Sequence, residues 1–471
     1  MSAKIAKAAP FTGAPHINAP SVFGASTGKA MFYRIPVTGA RPITVTVDGL
    51  PEGFTFDGRI LAGKSDCDCT FRLTIHAENA LGADESEMTV EIAPDHMLRT
   101  PLLGFTTWNA FGSKVTQELA EETAKKLADV GLMEYGYHYF NIDSGWQKEY
   151  GGRYDAIQPN EKFPDMGAMC EKLHGMGFHC GIYSTPMLTA WGCPEELPSI
   201  PGCTRGEPDI RFASMNGGIG TERMEENNVK QWTEWGFDYL KYDWRPCDGI
   251  NADYMKRALL VSEREIAFCV TVHADPFYAA YWKKNCCSWR DNSDSEPRWE
   301  RVMHLFHTVD TWRPHVLPGH FYDLDMLELG KTYYHDENDW SLTDDEKLFA
   351  YTMRAFFASP IQISSAIDKL SEFELDLLCN EEILAINQDC LADYPTLAAE
   401  SGGVRCYRRT LANGDIAYAI FNTGDTPVRE EIALDAPMHI RDVWAKSDLG
   451  CADTLTMEAD AHSAQVYRLK K

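Results

Sequence analysis

Phe237-Asp-Tyr-Leu-Lys-Tyr242 predicts a short β-strand, and a carboxylate, Asp243, follows it directly. Four further runs have the same apolar character, and helical stretches such as 117–130 and 166–176 lie next to them. These runs are Tyr137–Ile142, Phe178–Tyr183, Ala267–Val272 and Pro360–Ile363. Strands that alternate with helices in this way indicate a parallel sheet. We predict an α/β fold with a (β/α)8 TIM barrel, and a doubly wound sheet is the alternative.

Strand patterns also flank this central region on both sides. Before it, Ile43-Thr-Val-Thr-Val47 and Phe71-Arg-Leu-Thr-Ile75 alternate apolar and polar residues, and after it Ile416-Ala-Tyr-Ala-Ile-Phe421 resumes a strand pattern. We therefore predict an immunoglobulin-like β-sandwich over 1–97, a barrel catalytic domain over 98–393 and a C-terminal antiparallel β-sandwich over 394–471. We expect the first module to pack against the barrel rather than to anchor the protein.

Charge and composition exclude several classes of partner. The formal net charge of −26 repels phosphate backbones and anionic lipids, so we expect no nucleic-acid and no membrane partner. The start of the chain lacks the apolar core of a secretory signal, which favours a cytoplasmic protein. The 14 cysteines are dispersed without zinc-type spacing, which indicates reduced thiols. A neutral small molecule fits this charge as a substrate, and homo-oligomerisation stays open.

Carboxylates at the ends of separate strands give a chemical hypothesis. The carboxyl ends of barrel strands face one pocket, so Asp143, Asp243 and Asp294 can converge there. A retaining glycosidase needs one ionised carboxylate that attacks the anomeric carbon and a protonated one about 5 Å away that protonates the leaving oxygen. We assign these tasks to Asp243 and Asp294. By spacing alone, Asp291 competes with Asp294.

Neighbouring residues give each carboxyl a predicted ionisation state. Lys241 lies two residues before Asp243 on the same face of the strand, and its ammonium would keep Asp243 ionised. Trp289 lies near Asp294 in sequence and could supply the apolar burial that raises the pKa of a general acid.

Several motifs occur in the order and spacing of a known family. They are Thr100-Pro-Leu-Leu-Gly-Phe-Thr-Thr-Trp-Asn-Ala-Phe-Gly112, Tyr139-Phe-Asn-Ile-Asp-Ser-Gly-Trp-Gln147, Gly181-Ile-Tyr-Ser184, Tyr239-Leu-Lys-Tyr-Asp-Trp244 and Ala385-Ile-Asn-Gln-Asp389. From about Thr100 to the C-terminus, the chain resembles the α-galactosidases of glycoside hydrolase family 27. The resemblance implies a retaining, exo-acting hydrolase of terminal α-galactosyl residues, without a cofactor or a metal.

The same resemblance assigns roles to individual residues. It implies that Asp243 is the nucleophile, and it favours Asp294 over Asp291 as the acid/base. In the sugar pocket, it implies that Trp108 forms an apolar wall and that Asp143 contacts the 4- and 6-hydroxyl side of the sugar. It also implies that Lys241 binds ring hydroxyls and that Arg290 contacts the region of the 2-hydroxyl.

Two departures from the family pattern leave the sugar open. Ser144 replaces the second of two consecutive Asp residues, and His273-Ala-Asp-Pro276 matches neither family pattern at the 2-substituent. We weigh His273 equally as a sugar contact and as a residue that supports the pocket from behind. The alternatives are an α-N-acetylgalactosaminide, a β-L-arabinopyranoside or an α-glucoside as substrate, or a catalytically silent carbohydrate-binding protein.

Other polar residues receive structural interpretations. Asp323 and Asp325 precede an apolar run and are expected to cap a helix or to order a loop. The pair His320 and Asp323 lacks a convincing third metal ligand. The segment Met187–Gly217 is expected to shape the mouth of the pocket and to contact the aglycone or a second sugar. A disulfide between Cys193 and Cys247 is not expected, because the spacing differs from the family's.

Overall fold

The computed structural model describes residues 5–186, 223–244, 247–333 and 340–470. The strands are, in chain order, β1 His16–Ile17, β2 Val22–Ser26, β3 Met31–Arg34, β4 Val37–Thr38, β5 Thr44–Asp48, β6 Phe54–Phe56, β7 Ile60–Gly63, β8 Cys69–Asn79, β9 Gly82–Ala93, β10 Leu103–Thr106, β11 Tyr139–Ile142, β12 Gln147–Gly151, β13 Ala156–Pro159, β14 His179–Ser184, β15 Tyr239–Asp243, β16 Ala267–Thr271, β17 Ser288–Trp289, β18 Phe321–Tyr322, β19 Ile361–Ile363, β20 Thr396–Ser401, β21 Val404–Thr410, β22 Ile416–Asn422, β23 Val428–Asp442, β24 Ser447–Ala459 and β25 Ser463–Lys470. The α-helices are α1 Trp108–Phe111, α2 Gln117–Asp129, α3 Met166–Met176, α4 Glu225–Trp235, α5 Gly249–Leu260, α6 Ala279–Asn285, α7 Trp299–Trp312, α8 Asp344–Phe356, α9 Glu372–Leu378 and α10 Glu381–Asn387.

Eight parallel strands form the central sheet in the order β18-β17-β16-β15-β14-β11-β10-β19. The sheet closes just after β18, where Leu327 pairs in parallel with Ile363 and its N–H donates to the Gln362 carbonyl at 2.8 Å. The predicted TIM barrel is confirmed. Since the carboxyl ends of all eight strands point the same way, side chains that follow them share one face.

Helix boundaries follow local capping chemistry. The Thr116 side chain accepts a hydrogen bond from the Leu119 N–H at 3.1 Å at the start of α2, and Thr343 and Glu346 form a capping box at the start of α8. The helix predicted over 117–130 ends one residue earlier, at Asp129, and the one predicted over 166–176 is found unchanged.

The N-terminal segment forms small sheets in the orders β2-β9-β8-β5 and β3-β7-β6, around a core that includes the wholly buried Leu61 and Ile75. It lies against the base of the barrel. The ring of Phe32 stacks on that of His179 with centroids 4.1 Å apart, and the Ser26 N–H donates to Glu265 at 2.6 Å. The immunoglobulin-like assignment and the domain limits stay predictions.

The C-terminal strands form an antiparallel sheet in the order β20-β21-β22-β25-β23-β24. One face of this sheet packs on the barrel helices, where Phe421 contacts Phe306 and Phe349 with ring centroids 5.0 and 5.2 Å apart. The predicted C-terminal β-sandwich is confirmed. In the described ranges, we find no helix with the length and apolar character needed to cross a membrane.

Candidate active site

Asp243 is the last residue of β15, and its side chain is buried at the carboxyl end of the barrel. The hydroxyl of Tyr183, near the end of β14, donates to Asp243 Oδ2 at 2.9 Å. Asp243 Oδ1 has no hydrogen-bond partner among the described residues. Burial raises the pKa of Asp243 to about 6, although Arg290 and Lys241 oppose this rise. The carboxyl is therefore mostly ionised at neutral pH, and none of the described residues engages its Oδ1.

Asp294 lies on the loop after β17, and Arg290 Nη2 donates to its Oδ1 at 2.9 Å. Its side chain is 49% exposed, so the carboxyl opens toward solvent. Burial would raise the pKa of Asp294, but the positive charges of Arg290 and Lys241 outweigh that effect and lower it. The negative charge of Asp294 also raises the pKa of Asp243, so the two carboxyls lie within electrostatic range of each other.

The predicted role of Trp289 is wrong. Its side chain is wholly buried and packs against Trp312 with ring centroids 5.8 Å apart, and Asp294 remains half exposed. In the site without substrate, the pKa of Asp294 is lowered rather than raised. Trp289 therefore belongs to the packing between β17 and α7.

Asp291 differs from Asp294 in having both carboxylate oxygens engaged by the protein. The Tyr322 hydroxyl donates to Oδ1 at 2.5 Å, and the indole N–H of Trp312 donates to Oδ2. A carboxylate that accepts two such bonds in the packing between β18 and α7 has no free edge for a substrate. The geometry therefore favours Asp294 over Asp291 as the acid/base.

A buried ion pair forms another wall of the site. Lys241 Nζ donates to Asp143 Oδ2 at 2.6 Å, and the Thr106 hydroxyl donates to the same oxygen at 3.2 Å. The Ser144 N–H donates to Asp143 Oδ1 at 2.8 Å. Burial would lower the pKa of Lys241, but Asp143 raises it overall, so the ammonium keeps its charge. Lys241 is thus oriented by Asp143 on the wall that neighbours Asp243.

Arg290 is held between two carboxylates. Its guanidinium donates to Asp294 and to Asp325, and the second oxygen of Asp325 accepts the Ser295 N–H. Asp325 was expected only to cap a helix or to order a loop, yet it is also the buried counter-charge of Arg290. Its φ of 64° lies in the left-handed region that non-glycine residues rarely adopt.

The remaining predicted residues line the same face of the barrel. Trp108 begins α1, which Thr107 separates from the end of β10, and it is half-buried. His273 follows β16, and its Nε2 lies 3.1 Å from the Ser293 hydroxyl, so it contacts the acid/base loop. Cys247 Sγ donates to the Val272 carbonyl at 3.0 Å. The segment Met187–Gly217, with Cys193, lies outside the described residues.

Sequence reasoning gave no role to Tyr183, Asn109 or Glu328, and all three contact or adjoin this site. Tyr183 could have been found, because it ends a predicted strand next to the one that carries Asp243. Glu328 had a weaker signal, namely a carboxylate inside the apolar run Met326-Leu-Glu-Leu329.

Comparison with known proteins gives consistent matches. Residues 208–389 match the family model described as "Alpha galactosidase A", and residues 401–469 match "Alpha galactosidase C-terminal beta sandwich domain". α-Galactosidase 2 of Arabidopsis thaliana is 26% identical over 85% of this chain and 96% of its own length. A crystal structure of a proposed α-galactosidase/melibiase from Bacteroides fragilis is 27% identical and superposes with a TM-score of 0.86, covering 98% of this chain and 99% of that one. A family 27 β-L-arabinopyranosidase from Geobacillus stearothermophilus shares the fold at 22% identity, with a TM-score of 0.70 over 79% of this chain and 97% of that one.

Proposed function

Because this chain belongs to the α-galactosidase family, glycoside hydrolase family 27, we propose that it releases terminal α-galactosyl residues by double displacement, with Asp243 as nucleophile and Asp294 as acid/base. It is a glycoside hydrolase, and its substrate is a carbohydrate. The observation that carries the residue assignment is the pair of carboxyls at the barrel mouth. One is buried with an oxygen that no described residue engages, and the other opens toward solvent beside Arg290.

In the first step, Asp243 Oδ1 attacks the anomeric carbon while Asp294 protonates the departing oxygen. Tyr183 holds Asp243 Oδ2, so the attacking oxygen keeps a fixed direction. A bound sugar excludes water from the half-exposed Asp294 and thereby raises its pKa. Asp294 is then protonated when it must donate a proton, although its pKa is lowered in the site without substrate.

In the second step, Asp294 acts as base toward a water molecule that cleaves the glycosyl ester of Asp243. Once Asp243 is esterified, its negative charge is gone. That loss removes a repulsion that favoured protonation of Asp294, so Asp294 ionises more readily when it must accept a proton. The charge of Arg290 stabilises this ionised state.

Two substitutions test the assignment. Asp243→Ala should abolish turnover of nitrophenyl α-galactoside, and Asp294→Ala should slow alkyl α-galactosides far more than nitrophenyl ones, because an aryloxide needs little protonation. Added azide should restore turnover of the nitrophenyl substrate by the Asp294→Ala protein. Full activity of Asp243→Ala, or equal losses on both substrates for Asp294→Ala, would contradict the roles.

A second sugar is favoured by one departure from the family pattern. The resemblance leads us to expect a second carboxylate at the position of Ser144. In this chain, Asp143 alone of that pair could bind the 4-hydroxyl side of the sugar through a carboxylate. The family 27 neighbour that acts as a β-L-arabinopyranosidase makes that sugar the alternative. Rates on nitrophenyl α-galactoside, α-N-acetylgalactosaminide, β-L-arabinopyranoside and α-glucoside separate these substrates. Silence on all four would favour an unusual natural glycoside as the substrate, or a binding protein.

We also propose a cytoplasmic location. It is supported by the unpaired state of the cysteines that the structure describes, many of which are buried. Cell fractionation of the native host would test it, and recovery in the secreted fraction would contradict it.

A further inference from the structure

A buried carboxyl, Glu328, lies behind the loop that carries Asp294. Glu328 is 4% exposed, and its Oε1 accepts a hydrogen bond from Asn109 Nδ2. Glu328 Oε2 and Asn109 Oδ1 are both buried and have no hydrogen-bond partner within the described ranges. Buried polar atoms without partners are costly, so two of them on side chains that already touch call for a physical explanation.

Asn109 connects three parts of the site. It directly follows Trp108 in α1, and its backbone N–H donates to the Ser364 hydroxyl at 3.0 Å. Its Nδ2 also donates to the Ser295 carbonyl at 3.1 Å, and Ser295 directly follows Asp294. The Ser295 hydroxyl in turn donates to the Met326 carbonyl, two residues before Glu328. Any shift of Asn109 would therefore move both Trp108 and the acid/base loop.

We propose that Glu328 is a positioning residue, which through Asn109 fixes the acid/base loop relative to the helix that carries Trp108. This inference rests on the proposed function, because it concerns the placement of the proposed acid/base. Glu328 acts from behind the site through Asn109, which distinguishes it from the residues that meet the sugar.

The electrostatic surroundings support a neutral Glu328. Its pKa is raised to about 9, mainly by burial and also by the negative charges of Asp325, Glu296 and Asp294, and the hydrogen bond from Asn109 opposes this rise. The guanidinium of Arg354 on α8 also interacts electrostatically with Glu328, and its positive charge opposes that rise. As a neutral acid, Glu328 carries a proton that Oε2 can donate to Asn109 Oδ1. The result is a carboxylic acid–amide pair with two hydrogen bonds, which satisfies both unpartnered atoms.

Glu328→Gln and Glu328→Leu separate this role from simple packing. Gln is neutral and keeps a hydrogen bond to Asn109, so its rates should match the wild type. Leu keeps most of the volume but makes no hydrogen bond. It should lose on the order of 100-fold on alkyl α-galactosides and less on nitrophenyl ones, because a misplaced acid matters only where a proton is needed. Glu296→Gln is the matched control, since Glu296 lies on the same loop but pairs with Arg298 at the surface.

Difference infrared spectroscopy gives a readout that needs no turnover. The wild type at pH 7 should show the carbonyl stretch of a protonated carboxylic acid that Glu328→Gln lacks and Glu296→Gln retains. Absence of that band from the wild type, or an unchanged ratio of alkyl to nitrophenyl rates in a folded Glu328→Leu protein, would overturn the inference. If the wild type hydrolyses none of the glycosides, the proposed function fails, and the infrared comparison still tests the pairing of Glu328 with Asn109. The same comparison decides the matter if Glu328→Leu does not fold.

Discussion

Tyr183→Phe removes the hydrogen bond that the Tyr183 hydroxyl donates to Asp243 Oδ2 at 2.9 Å. A hydrogen bond to an ionised group contributes about 1.5–3 kcal/mol, and about 1.4 kcal/mol corresponds to one pKa unit. The bond stabilises the ionised carboxylate, so its loss should raise the pKa of Asp243. Starting from about 6, the pKa should move to roughly 7–8.

The assay is kcat/KM against pH for nitrophenyl α-galactoside, a substrate that makes little demand on the general acid. The acidic limb should move up by about one to two pH units, so that activity at pH 6 falls about 5- to 50-fold while activity on the plateau changes much less. Tyr242→Phe is the matched control, because the Tyr242 hydroxyl is buried next to Asp243 in the chain without a partner among the described residues. An acidic limb that stays in place in Tyr183→Phe, or moves equally in Tyr242→Phe, would refute the reasoning.

Two further predictions concern stability. Asp243→Asn should raise the free energy of unfolding at pH 7 by about 3 kcal/mol, because burial raises the pKa of Asp243 from 3.8 to about 6 and the native protein pays for keeping the group ionised. Between these pKa values, the native state of the wild type binds a proton that the unfolded state does not, so the stability gain of Asp243→Asn should shrink as the pH falls from 6 and vanish below about 4. Urea unfolding at several pH values measures this gain, and a gain that stays constant with pH would contradict the prediction. Asp291→Asn should keep turnover but cost about 1–3 kcal/mol, because one of its acceptor oxygens toward Tyr322 or Trp312 is lost. Full stability with lost turnover would instead make Asp291 the acid.

The sequence predicted the barrel because its longer strands are apolar and end in turn-forming or charged residues. Strands β11, β16 and β19 lie within their predicted runs, and β15 over Tyr239–Asp243 extends one residue past its run. The strands β17 and β18 were not predicted, because two residues are too few to show a periodicity. Their place in the sheet depends on neighbours far away in the chain.

The site was predictable where chemistry follows directly from strand ends. Asp243 and Asp294 were selected on that basis and by their motifs. The expected burial of Asp294 by Trp289 is not found. Proximity in sequence does not determine which side a bulky residue faces, and Trp289 turns toward Trp312. The pairing of Arg290 with Asp325 joins residues 35 positions apart, so only the closed barrel reveals it.

The contacts at the base of the barrel bear on how this chain can evolve. Arg34 of the N-terminal segment forms a buried ion pair with Glu134, and Phe32 covers His179. A gene that exchanged this segment for an unrelated one would leave a buried carboxylate without its counter-charge, at a cost of several kcal/mol. The segment is therefore unsuited to exchange between unrelated proteins, and we expect substitutions on the two sides of this contact to covary among relatives.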